Sequence, residues 1–395
     1  MKKVRVATYL ANALDHFDTS LYGFLVPIIA PLFFPSSDPV TALIKGYALV
    51  IIGFITRPLG AWYFSKKADT VGPHQTLIIT IMGMTITTFC FTLIQPYNNW
   101  GIFGAICLCV LRGMQNFFGA GETSIASLYV LENAETNKQY SITSLYLSST
   151  MVGILLACFV TSILFYSNNP QLYWKLPFYG SLITGLTGWY LRYQYNPTFV
   201  KKKIFQKQIN WQDIIKLIPI TGLSYILYSA PMVFFNSFAP IVTNISIKTL
   251  MASNTILMFF DLVLLTIFGS ITRNINPKQL LLKISGIIII IFPILFLIIP
   301  FVNLFGAIVI RIIMITLGVA FCIPLNRWYY EELGEHNRYT VTSIGYAIGS
   351  EILGRSFPMV GLLLWQISNL AIIPGLYIAL ISLWAFYNIK INYKI

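Results

Sequence analysis

The feature that most constrains this chain is a repetition of solid apolar blocks. Each is about 20 residues long, the length that carries an α-helix across the hydrocarbon of a bilayer. The chain is 56% hydrophobic and 10% charged, whereas a soluble domain is about 25% charged. Inside lipid, only helices and closed barrels satisfy every backbone group. Barrel strands are short and alternate in polarity, and these blocks are neither short nor alternating. The expected fold class is therefore an all-α polytopic membrane protein.

Twelve transmembrane helices are expected. The first six lie at about 6–34, 42–64, 76–95, 100–131, 139–166 and 174–195. The second six lie at about 213–242, 249–272, 279–300, 303–327, 340–366 and 370–389. Between the sets runs "NPTFVKKKIFQKQINWQ", polar and rich in lysine. The chain thus reads as an N-terminal six-helix bundle (1–195), a cytoplasmic linker (196–212) and a C-terminal six-helix bundle (213–395).

Charge sorts with this topology. The formal net charge is +13, which in a soluble protein suggests a nucleic-acid partner. Here 19 of the 26 Lys and Arg residues fall on one side of the twelve blocks. Three (Lys45, Lys175 and Lys248) fall on the other, and Arg57, Arg112, Arg311 and Arg355 lie within the membrane. Positive charge is retained on the cytoplasmic side, so both termini and the linker are expected there, with no nucleic-acid partner. The opening "MKKVR" resembles the start of a signal peptide. The apolar run behind it is too long for one, holds two aspartates and lacks a small-residue cleavage site, so a retained first helix is expected. Abundant Ile, Asn and Lys fit an AT-rich bacterial genome, and the expected location is the bacterial cytoplasmic (inner) membrane.

A chain of six plus six helices with a basic central linker suggests a two-lobed transporter with its site between the halves. The five cysteines sit inside expected spans and the three histidines do not cluster. Neither a metal set nor a nucleophile–base pair is legible, so no metal, no cofactor and no enzymatic activity are expected.

The first block carries polar residues at helical spacing. Asp15 and Asp18 are three apart and share a face, with Asn12, Thr19 and Tyr22 on the same side. Ala13, Phe17, Phe24 and Ile28 fall opposite and are expected to meet lipid. A charge at mid-bilayer costs at least about 2.5–3.5 kcal/mol, so both aspartates should face the interior or a wet cavity. At a rise of about 1.5 Å per residue, Arg112 in the fourth block reaches the same depth. Gln115, Gly119, Glu122 and Thr123 continue its face. Two carboxylates sharing one arginine are not both fully compensated, so one is expected to take up a proton. Asp15, Asp18, Arg112 and Glu122 are thus the proton-coupling candidates. The alternative is a packing network that holds two helices together. In the second half Asp261, Arg311, Glu351 and Arg355 lie within blocks. With Asn12, Tyr22 and Gln115 they are the substrate-cavity candidates, against the alternative of charge-neutral structural pairing. Tyr225, Tyr228, Phe234 and Phe235 either line a cavity or pack in the core.

Several stretches resemble the metabolite:H+ symporter family of the major facilitator superfamily, which includes transporters of proline and betaine, α-ketoglutarate, citrate and shikimate. They are "ANALDHFDTSLYG" (Ala11 to Gly23), "RPLGAWYFSKKADTVGPH" (Arg57 to His74), "RGMQNFFGAGE" (Arg112 to Glu122), "WKLPF" (Trp174 to Phe178) and "RYTVTSIGY" (Arg338 to Tyr346). They keep the family's order across almost the whole chain. The resemblance implies the two-lobed alternating-access fold and a monomer. It also implies proton-coupled symport of a small polar metabolite such as proline, betaine or another amino acid. A dicarboxylate-type organic anion, or uncoupled exchange, is the alternative. It further implies a gating latch formed by Arg57, Asp69 and Gly72. The sequence departs from the pattern at Pro73, His74 and Gln75, where basic residues are usual, and at His16, where tryptophan is usual. In "EILGRSFP" (Glu351 to Pro358) an ion pair stands where small residues are usual. The chain ends soon after the twelfth block, so the coiled-coil tail of some osmosensing members is not expected.

Overall fold

The computed structural model describes residues 2–49, 52–132, 139–194, 211–271, 275–332 and 338–391. Every element among them is helical. The chain divides into two compact units, Met1–Ile204 and Phe205–Ile395. Most of the expected linker lies outside the described residues, and the seventh spanning helix already begins at Trp211.

Ten stretches among the described residues are long and apolar enough to cross a bilayer. The third and sixth spans, Pro73–Cys90 and Leu176–Gln194, are helical but more polar. The third opens on Pro73, His74 and Gln75 and carries five threonines that are buried in the unit: Thr76, Thr80, Thr85, Thr87 and Thr88. Several turn their hydroxyls back onto their own helix, Thr85 to the Ile81 carbonyl and Thr87 to the Gly83 carbonyl, both at 2.7 Å. A hydroxyl satisfied in this way costs little inside a bundle. With these two, each unit holds six spanning helices.

In the first unit, the helix Lys2–Phe33 is central. The second span starts at Pro39, where Asp38 caps the backbone N–H groups of Val40 and Thr41 at 3.1 and 3.0 Å. Such a cap satisfies amide donors that the first turn leaves orphaned. The expectation that Ala13, Phe17, Phe24 and Ile28 meet lipid is not met: all four are buried. The reason lies in the fifth span, Gln139–Tyr166. At Gly153 a Cβ would collide with the Ala13 carbonyl oxygen and the Phe17 nitrogen, so glycine lets the two backbones touch. The first helix is therefore covered on both faces around Ala13 and Phe17.

In the second unit two helices contain π-helical turns. The seventh span runs Trp211–Ser229, then a π turn Ala230–Phe234, then Phe235–Val242. The eleventh runs Arg338–Gly349, a π turn Ser350–Arg355, then Phe357–Ser368. Prolines account for both widened turns. Pro231 lies within the first, and Pro358, just past the second, has no N–H to offer the Gly354 carbonyl. Ser229 Oγ donates to that carbonyl at 3.3 Å instead. Phe234, Phe238, Phe296 and Phe357 cluster around these turns, with Phe234 stacked on Phe238. Phe234 and Phe235 thus belong to the core. The ninth span begins at Pro277, behind an Asn276 cap, and Lys278 pairs with Glu332 of the tenth at 3.3 Å.

Candidate functional site

In the first unit the polar face of the first helix is buried as the helical spacing predicts. Asn12, Asp15, Asp18 and Tyr22 are each at most 4% exposed. Asn12 Nδ2 donates to Ser149 Oγ at 2.9 Å and Thr150 Oγ1 at 2.8 Å on the fifth span. Tyr22 donates its hydroxyl to the Gly46 carbonyl at 2.8 Å. Thr19 donates to the Asp15 carbonyl at 3.1 Å.

The fourth span, Ile102–Glu132, supplies Arg112 and Gln115, both buried. The Arg112 guanidinium lies 4.6 Å from the centre of the Tyr22 ring, within cation–π range. Its Nη1 donates to Gln115 Oε1. Gln115 Nε2 in turn donates to the Asp18 carbonyl at 3.3 Å and to Thr88 Oγ1 at 3.1 Å. One amide thus joins the first, third and fourth helices around the arginine. Sequence reasoning missed Thr88, Ser149 and Thr150. Their signal was a run of hydroxyl residues in otherwise apolar blocks.

Arg57 is buried in the second span. Gly72 has φ 98° and ψ 149°, a region open in practice to glycine alone. The side chains of Asp69 and Glu122 lie outside the described residues.

In the second unit Arg355 Nε lies 2.9 Å from Glu351 Oε1. The Arg355 guanidinium sits 5.0 Å from the Tyr225 ring centre. Asp261 is buried in the eighth span. Arg311 has no exposed surface. Its Nε donates to the Pro231 carbonyl at 2.9 Å, and its Nη1 to the Leu250 carbonyl at 3.3 Å and Ser253 Oγ at 3.0 Å. Its Nη2 reaches Asn254 Oδ1, and its plane faces Phe235 at 5.5 Å. The Pro231 carbonyl lies in the π turn of the seventh span. Arg311 therefore ties that turn to the eighth helix.

Buried charges on facing helices of a twelve-helix membrane protein narrow the possibilities, and comparison with known proteins decides the family. The family profile described as Major Facilitator Superfamily matches residues 8–358. The chain belongs to the major facilitator superfamily. Among curated relatives, a glycine betaine/proline/ectoine/pipecolic acid transporter of Dickeya dadantii is 32% identical over 230 residues. The match covers 57% of this chain, and the chain spans only 46% of that relative's length. A putative proline/betaine transporter of Staphylococcus aureus is 25% identical over 407 residues, covering 98% of this chain and 86% of the relative. Among solved structures, the partially occluded inward-open xylose transporter XylE from E. coli superposes with a TM-score of 0.76. Its identity is 13%, with 98% of this chain and 96% of that one covered. At that identity the likeness is one of fold.

Proposed function

We propose that this superfamily member is a secondary transporter of the bacterial cytoplasmic membrane. It carries a small polar solute of the proline and betaine type, driven by protons moving with it. The observation that carries this reading is the burial of Asp15, Asp18 and Arg112 in one unit, with Gln115 linking Arg112 to the main-chain carbonyl of Asp18. Ionisable residues in membrane helices are expensive, and they mark substrate and ion pathways and proton relays. The relatives' names support the solute class. Both termini are cytoplasmic on this reading, as the charge bias supports, and the transporting unit is one chain.

The test is uptake into proteoliposomes under an imposed pH gradient, with labelled proline, glycine betaine and succinate. The reading expects proline or glycine betaine to accumulate beyond equilibrium and a protonophore to abolish it. Gradient-independent equilibration of all three solutes would overturn it.

A further inference from the structure

The eighth span, Ile247–Ile271, turns one face inward. Leu250, Asn254, Leu257, Met258 and Asp261 recur along it at helical spacing, and all five are buried. The helix packs against the tenth span, Leu304–Glu332, and against Phe235–Val242 of the seventh. Toward one end of the face, Asn254 is held by Arg311 of the tenth span. Asp261 comes seven residues later, about 10 Å further along the helix. It is only 7% exposed and makes no hydrogen bond or ion pair among the described residues.

The surroundings of Asp261 offer it no counter-charge. Phe235–Val242 carries no ionisable side chain. From the tenth span, the Cys322 thiol interacts with Asp261 electrostatically, and its Sγ lies 3.7 Å from the Ser224 carbonyl of the seventh. Arg311 is engaged at the other end of the face, by Pro231, Leu250, Ser253 and Asn254. Lys248, on the same helix as Asp261, is about 20 Å away along the axis. An ionised carboxylate buried without water or a cation is costly, and such a group takes its neutral form instead. A neutral acid packs against a thiol, itself small and weakly polar, with no charge left uncompensated. A carboxylate in the same place does not. The contact between the two helices thus suits one protonation state.

We propose that Asp261 is a proton-binding site of the second unit: the packing of the eighth span on the tenth holds its protonated form, and loss of the proton loosens that packing. Acid then favours the packed arrangement, because a ligand shifts an equilibrium toward the state that binds it better. The site is separate from Asp15 and Asp18, which belong to the first unit.

The test uses the full chain in lipid nanodiscs, with infrared spectroscopy and with N-ethylmaleimide labelling read by mass spectrometry of the Cys322 peptide. At neutral pH the wild type should show a protonated carboxylic-acid band that Asp261→Asn removes. Cys322→Ser keeps the acid and sets a stronger hydrogen-bond donor beside it, so it should shift that band to lower frequency. At alkaline pH the wild-type contact loosens, whereas Asp261→Asn has no proton to lose. Labelling of Cys322 should then be roughly threefold slower in Asp261→Asn than in the wild type. A purely electrostatic role gives the opposite, because a thiolate forms more readily without a negative charge beside it. Identical protonated-acid bands in the wild type and both folded variants would overturn the inference, since Asp261 would then be ionised. So would labelling of Cys322 that is as fast in Asp261→Asn as in the wild type, or faster. Should Asp261→Asn fail to fold, the band's shift in Cys322→Ser and its loss from the wild type at alkaline pH decide in its place, and a band that does neither overturns the inference. None of these readouts depends on transport, so the outcome stands apart from the function proposed above.

Discussion

Replacing Arg311 with methionine removes the tie between the π turn of the seventh helix and the eighth helix while keeping a flexible stem of similar length. Four hydrogen bonds disappear, to Pro231, Leu250, Ser253 and Asn254. Hydrogen bonds between membrane helices average about 0.6 kcal/mol each, which puts the floor near 2 kcal/mol. Bonds made by a charged donor reach about 1.5 kcal/mol or more, which puts the upper range near 6 kcal/mol. The assay is thermal unfolding of detergent-purified protein followed by tryptophan fluorescence, at one fixed scan rate because such unfolding is often irreversible. The apparent Tm should fall by several degrees in Arg311→Met and by less in Arg311→Lys, which keeps the charge but loses the fork. In the Arg311→Met background, Asn254→Ala should cost far less than it does alone, since the two share one bond. A Tm within about 1 °C of wild type would refute the assignment of Arg311 as a clasp.

Gly153→Leu should sharply lower folded yield, because the side chain has to enter the contact with the Ala13 carbonyl; size-exclusion profiles of fluorescent fusions would show it, and a monodisperse wild-type level would contradict it. Gly72→Ala should cost about 1–3 kcal/mol for backbone strain at a positive φ, read as a lower Tm with solute affinity unchanged. For topology, single cysteines are placed at Asn98 and Lys202 in a cysteine-free background. An impermeant reagent should label Asn98→Cys, but not Lys202→Cys, on intact cells.

Much of the first unit was legible because a helix repeats at a fixed angle. Asn12, Asp15, Asp18 and Tyr22 declare a single polar face, and the structure buries that face. The burial of Ala13 and Phe17 was not legible. It depends on Gly153, far along the chain, and apolar residues facing lipid look the same in sequence as apolar residues facing a helix. The four-residue spacing of Glu351 and Arg355 announced their contact. Their placement against Tyr225 required Gly354 and a π turn. That turn follows from Pro358, a signal present in "EILGRSFP" but silent about which helix lies alongside. Arg311 looked like a charge in need of a carboxylate or a substrate. Among its acceptors are main-chain carbonyls at Pro231 and Leu250, which sequence patterns do not mark. In the sequence Gln115 only extends the arginine's helical face. Its role as the link between three helices appears only with Thr88 in place.

The central claim is that a carboxylate in the first helix carries the driving proton. Reconstituted Asp15→Asn and Asp18→Asn variants test it most directly, with pH-gradient-driven accumulation and counterflow exchange of the same labelled zwitterion measured side by side. Counterflow needs the solute site and alternating access but no net proton movement. At least one variant is predicted to lose accumulation above equilibrium while keeping counterflow. If both variants accumulate solute and co-transport protons as the wild type does, the claim is contradicted.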